Sequence, residues 1–134
     1  MSVPSLIALR GHRDSRGGLG FIEGGKDVPF EIRRVYYLFD VPAQSSRGAH
    51  AHKSLEQLFV AVNGSFNLTV DDGAKTHRFT LSSPSEGVYL PPGFWRDLDG
   101  FSPGAVCMVL ASHPYDESDY LRDRGAFLAY KRTS

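Results

Sequence analysis

A chain of 134 residues suits one domain, 1–134, built around one hydrophobic core. Fifteen Lys and Arg balance fifteen Asp and Glu, so no global field steers nucleic acid, and any anion site has to come from a local cluster of Arg and Lys. No apolar run is long enough to span a bilayer, Met1 to Leu9 lacks the basic start of a secretory leader, and the single cysteine rules out an internal disulfide. Cys107 lies in the apolar run Ala105–Ala111 and reads as an inert core residue. These features point to a cytoplasmic protein that binds no nucleic acid and no membrane.

Short strand-like runs recur at intervals of about ten residues, separated by turn residues, a pattern that predicts an antiparallel sandwich or barrel. In chain order they are Leu6 to Leu9, Leu19 to Glu23, Ile32 to Phe39, Gly48 to Lys53, Gln57 to Val62, Phe66 to Val70, His77 to Leu81, Val88 to Leu90 and Ala105 to Ala111. Asn63-Gly64 and Asp71-Asp72-Gly73 carry hairpin-turn chemistry, and Pro91-Pro92-Gly93 interrupts the chain before the last strand. Only the tail predicts helix. Asp116-Glu117-Ser118-Asp119 offers a cap and first-turn acids, Tyr120, Leu121, Phe127 and Leu128 an apolar face, and Gly125 keeps the helix short or broken.

The strand over 48–53 carries His50 and His52, which project to the same face because strand side chains alternate. Such a pair grips a metal or handles protons. Filling a core with two imidazoles would leave polar groups in need of partners. The order His50-x-His52-x-x-x-Glu56, then Gly64, resembles the first signature of the cupin superfamily, and Pro91-Pro92-Gly93-Phe94-Trp95-Arg96 resembles the second. Metal-binding cupins end that second signature in histidine. Arg96 stands there instead, and a guanidinium only donates hydrogen bonds and repels a divalent cation. His50, His52 and Glu56 could still form a facial triad for ferrous iron, unless a bulge turns Glu56 away. Proton handling is the preferred reading.

The match extends beyond those signatures. Ile32-Arg33-Arg34-Val35-Tyr36-Tyr37, Arg47-Gly48-x-His50-Ala51-His52-Lys53, Glu56-Gln57, Asn63-Gly64-Ser65, Phe101-Ser102 and Tyr115-Asp116-Glu117-x-Asp119-Tyr120 together resemble the dTDP-4-keto-6-deoxyglucose 3,4-ketoisomerases, the WxcM-like or FdtA-like family. The resemblance covers the chain from Asp14 to Phe127. It implies an all-β, cupin-type double-stranded β-helix with a short C-terminal helix. It also implies a homodimer with N-terminal strand exchange, and catalysis without metal or cofactor. The implied substrate is a dTDP-linked 4-keto-6-deoxyhexose, whose ketone moves from C4 to C3 through an enediol for deoxyamino sugar and surface glycan biosynthesis. A metal-dependent cupin oxygenase and a non-catalytic sugar-binding cupin are the alternatives, the first weakened by Arg96. The tail Tyr115–Tyr120 separates the chain from the related 3,5-epimerases.

That reaction needs a base near C3 and C4 and a donor for the oxygen that gains charge. Histidine titrates near neutral pH, so His52 is expected as the base and His50 as its partner. Tyr36 and Tyr37 face opposite ways; the resemblance favours Tyr37 as the donor and leaves Tyr36 as a packed aromatic. Arg16, Arg34, Arg47, Lys53 and Arg96 are the candidates for the diphosphate, because arginine forks match its oxygens. Arg33 reads as a solvated charge. Arg47 shares the histidine face only if Gly48-Ala49 bulges, and Lys53 has the opposite parity to His52. Trp95 or Phe94 could stack on thymine.

Overall fold

The computed structural model describes residues 3–133; residues 1, 2 and 134 of the expected unit lie outside the described residues. The chain runs through β1 (Ser5–Ala8), β2 (Gly11–Asp14), β3 (Gly17–Gly20), β4 (Arg34–Leu38), β5 (Arg47–His52) and β6 (Gln57–Asn63). It continues through β7 (Phe66–Asp71), β8 (Thr76–Leu81), β9 (Glu86–Leu90), β10 (Trp95–Asp99), β11 (Val106–Ala111), β12 (Tyr120–Leu121) and α1 (Arg124–Thr133). Two five-stranded antiparallel sheets face each other, ordered β1-β9-β6-β11-β4 and β12-β5-β10-β7-β8, and β2-β3 forms a separate hairpin. This is the jelly-roll arrangement expected of a cupin. No helix among the described residues is long and apolar enough to cross a membrane.

Alternation along each strand decides what fills the sandwich. From the first sheet, Phe59, Ala61, Val88, Leu90, Cys107 and Val109 point inward, and Phe66, Leu68, Val70, Leu81 and Leu98 meet them from the second. The outward face of the first sheet is covered as well: Leu58, Val60, Tyr89 and Leu110 pack against Val28 and Phe30 of the segment leading into β4. Burial on both faces explains why Leu58–Ala61 reads as an unbroken apolar run rather than an alternating one.

Three local expectations are corrected. β10 does not stand out in the sequence because Arg96, Asp97 and Asp99 break its apolar pattern; it forms because it is paired on both sides, with β5 and with β7. The strand expected over Leu19 to Glu23 is the β2–β3 hairpin, shifted toward the N-terminus. The acids at 116–119 do not open the C-terminal helix. Asp116 caps a single 3-10 turn at Glu117–Asp119, Tyr120 and Leu121 then pair with β5, and the helix begins only at Arg124. Its start is fixed by Asp123, whose carboxylate accepts from Ala126 N at 2.9 Å. Phe127, fully buried, docks the helix on Trp95 and Ala51.

Candidate active site

A β-bulge builds the site. Across the β5–β10 pair, His50 lies opposite Arg96 and Gly48 opposite Asp97, so Ala49 is the extra residue. Gly48 and Ala49 both take positive φ, 96° and 57°. A Cβ on Gly48 would lie 2.9 Å from the Arg96 carbonyl oxygen, which is why glycine is needed there. The added residue restores parity: Arg47 and His50, three positions apart, line the same cavity.

That cavity, of about 300 Å3, opens between β4 of the first sheet and β5, β10 and β12 of the second. Arg34, Tyr36 and Leu38 line it from β4, Phe59 from β6, and Arg96 and Leu98 from β10; Tyr120 and Arg122 close the remaining side. Among the described residues four arginines line it and no carboxylate does. A larger cavity of about 460 Å3 lies between the β2–β3 hairpin and Val60, Val62 and Met108 of the first sheet. The unpartnered buried polar groups gather at the smaller one. Among the described residues, the buried side-chain polar atoms without a hydrogen-bond partner are Arg34 Nε, His50 Nε2, His52 Nε2 and Arg96 Nε. Three of these residues line the cavity, and His52 packs edge-on against His50 with ring centroids 4.9 Å apart. Buried polar atoms are ordinarily satisfied, so this concentration marks a place prepared for a polar ligand.

The partners of each imidazole assign its tautomer. His50 Nδ1 lies 3.0 Å from the Gly48 carbonyl, which can only accept, so Nδ1 carries the hydrogen and Nε2 keeps a free lone pair. His52 Nδ1 lies 3.2 Å from Asp119 Oδ2 and donates likewise. Asp119 is held in turn by the backbone N–H groups of Ser54 (2.8 Å) and Leu55 (3.2 Å). Burial, followed by the Arg96 charge, pushes His50 down to about 4. The same two causes push His52 down to about 2, outweighing the Asp119 carboxylate beside it. Both rings are therefore neutral at pH 7. Arg96 is only 1% exposed, and burial lowers it to about 10, which leaves it cationic.

A metal does not fit this arrangement. Glu56, the expected third ligand, accepts from the Tyr89 hydroxyl at 2.6 Å, on the outward side of the first sheet. Among the described residues no three His, Cys, Asp or Glu side chains gather into a metal-holding group.

Of the expected site residues, His50, Arg34, Arg47 and Arg96 line the cavity. His52 lies behind His50, 1% exposed, facing a small second cavity beside Asp119. The expectation for Tyr37 is corrected. Tyr36 sits in the row Tyr36–Val109–Phe59 that faces the sandwich interior, while Tyr37 is 62% exposed on the outer face. Trp95 is corrected too: with Arg96 turned inward, alternation turns Trp95 the other way, onto Phe127, and Phe94 joins the core. Lys53 is exposed, its backbone N–H bound to the Asp119 carbonyl. Arg16, at the tip of the β2–β3 hairpin, pairs with Asp14 at 2.6 Å, away from the cavity of its own chain. Tyr120 and Arg122 were not expected at the site, and neither was Gln57, which joins Arg96 to Tyr36. The signal for Gln57 was a lone amide in an apolar strand, in phase with Phe59.

Comparison with known proteins agrees with this geometry. The profile of the WxcM-like, C-terminal family (FdtA) matches residues 2–132. The chain is 49% identical over 117 residues to the TDP-4-oxo-6-deoxy-alpha-D-glucose-3,4-oxoisomerase of Aneurinibacillus thermoaerophilus, covering 87% of this chain and 84% of that one. It superposes with a TM-score of 0.94 on the crystal structure of a 3,4-ketoisomerase from Helicobacter canadensis, at 36% identity over 98% of this chain and 99% of the other. A histidine-to-asparagine variant of the Thermoanaerobacterium thermosaccharolyticum 3,4-ketoisomerase, crystallised with TDP-4-keto-6-deoxyglucose, also scores 0.94, at 36% identity over 97% and 94% of the two chains. The chain belongs to the WxcM-like (FdtA) family of sugar nucleotide 3,4-ketoisomerases.

Proposed function

We propose that this protein converts TDP-4-keto-6-deoxyglucose to its 3-keto isomer, with His50 as the carbon base and Tyr36 as the oxygen acid. The observation that carries the reading is the ring of unpartnered buried nitrogens around an arginine-lined cavity. The C3 proton is acidified by the neighbouring C4 ketone. His50 Nε2 takes it, electrons move into the C3–C4 bond, and negative charge develops on O4. Tyr36 donates to O4, giving the enediol. His50 then returns its proton to C4 as the O3 proton leaves to the tyrosine oxygen, forming the C3 ketone. Proton and electron counts balance without an oxidant. Arg34, Arg47 and Arg96 supply charge for the diphosphate. The expected roles of the two histidines are exchanged here: His50 faces the cavity, and the His52–Asp119 pair supports the wall behind it.

A homodimer completes the reading. Val35, Tyr37 and Phe39 are more than half exposed on the outer face of β4 and its end, which supports a partner surface. β1 pairs with β9 of its own chain, so the free β2–β3 hairpin is the better candidate for exchange, and it would carry Arg16 toward a partner. A cytoplasmic setting is consistent with the one free, buried cysteine.

The test is incubation with TDP-4-keto-6-deoxyglucose in deuterated water, followed by NMR of the sugar. The 3-keto product should form, with deuterium at C4 to the extent that the proton on His50 exchanges with solvent before it is returned, and with deuterium at C3 only in recovered substrate. His50→Asn should cut the rate by at least about 100-fold, the scale of a lost general base, and His52→Asn by less. Unchanged substrate would refute the isomerase reading, and an unaffected His50→Asn the assignment of the base.

A further inference from the structure

We infer that Gln57 sets the direction of the Tyr36 hydroxyl and so acts as a positioning residue for the reaction; this rests on the isomerase reading above. Gln57 is fully buried in β6, a strand otherwise apolar from Leu58 to Val62, where an amide has to be hydrogen-bonded to be tolerated. It is bonded on both sides. Arg96 Nη1 donates to Gln57 Oε1, and Gln57 Nε2 donates to Tyr36 Oη at 2.8 Å.

An amide could in principle be turned over, but a guanidinium cannot accept a hydrogen bond. The oxygen of Gln57 must therefore face Arg96, and its NH2 group must face Tyr36. Tyr36 Oη then accepts from Gln57, and its own hydrogen is left over. No other hydrogen bond to that oxygen is found among the described residues, and Tyr36 lines the cavity. A fixed cation thus sets the amide, the amide sets the phenol, and the phenol is left with its proton toward the substrate oxygen. Holding a donor in place before charge develops is what makes such a group effective. When Tyr36 transiently gives up its proton, the same N–H and the Arg96 charge behind it support the phenolate.

The decisive variant is Gln57→Glu. It keeps the shape, and its carboxylate suits the buried Arg96, but it has no hydrogen for Tyr36. Instead it accepts the Tyr36 O–H and turns it away from the cavity. Kinetics on TDP-4-keto-6-deoxyglucose should show kcat reduced about 100-fold, the scale of one lost donor to a developing oxyanion, with KM within about threefold. Tyr36→Phe should show a similar loss, and Gln57→Glu added to Tyr36→Phe almost no further loss, because the amide acts only through the phenol. If thermal melting shows that Gln57→Glu does not fold, Gln57→Met keeps the volume without either amide group, and its loss too should vanish in the Tyr36→Phe background. An active wild type whose Gln57 variants keep full kcat, or lose it equally with and without the Tyr36 hydroxyl, overturns the role of Gln57 alone. A wild type inactive on this substrate overturns the functional reading, and the role of Gln57 with it.

Discussion

Mild acid should destabilise this protein before the arginine-paired carboxylates Asp27 and Glu117 lose their charge. In the folded chain His50 is held down to about 4 and His52 to about 2, against an ordinary histidine near 6.5. The unfolded chain therefore binds protons below pH 6.5 that the folded chain refuses. Stability is complete above 6.5 and is lost as pH falls toward the folded values. At pH 5 each histidine has been carried about 1.5 units below its unfolded value while remaining neutral when folded, a loss of about 2 kcal/mol each. The two losses add, to about 4 kcal/mol, because the protons are bound in the unfolded chain, where water screens one imidazolium from the other. At roughly 3–4 °C per kcal/mol for a chain of this length, Tm should fall by about 12–16 °C between pH 8 and pH 5. The competing carboxylates act lower. Asp27, beside Arg10, and Glu117, beside Arg122, are each held to about 2, so their contributions fade as pH falls through their unfolded values of about 4 to 4.5. Calorimetry of the wild type and of His50→Asn/His52→Asn across this range is the assay. The double variant should lose most of the slope. A wild type with a flat profile, or a double variant with the same fall, would refute the reasoning.

Two further outcomes follow from the fold. Gly48→Ala places a Cβ 2.9 Å from the Arg96 carbonyl oxygen at a φ of 96°, and should cost about 1–3 kcal/mol, read as a Tm lower by several degrees; a Tm within one degree of wild type would contradict the bulge as described. Light scattering after gel filtration should give a dimer that Tyr37→Glu weakens, because a charge would enter a face where Val35, Tyr37 and Phe39 are exposed together; a wild-type monomer would remove the proposed interface.

Much of the site could be read before any coordinates. The spacing of His50 and His52 and the place of Arg96 in the second cupin signature were enough to bring three side chains together, because strand alternation is a local property. What escaped depended on pairing between strands. Whether Tyr36 or Tyr37 faces inward is fixed by the register of β4 on β11, and no residue within β4 encodes it. Charged side chains mask β10, although Arg96 and Leu98 face the interior. Trp95 has the flat face to stack on thymine, but alternation beside an inward Arg96 sends it to the helix. Asp119 looked like a helix-capping acid because its other partners, His52, Ser54 and Leu55, lie more than 60 residues earlier in the chain.

The arginines of the cavity sit in a molecule whose formal charge is zero. With no net charge the molecule has little far-reaching pull on an anion, and at physiological ionic strength the field of a charged patch fades beyond about 8 Å. A nucleotide sugar therefore feels the four guanidiniums only over the last few ångströms before the mouth. There a cleft lined by one sign of charge concentrates the field, so the arginines raise the chance that an arriving anion docks as well as the time it stays, and both should weaken as salt is added.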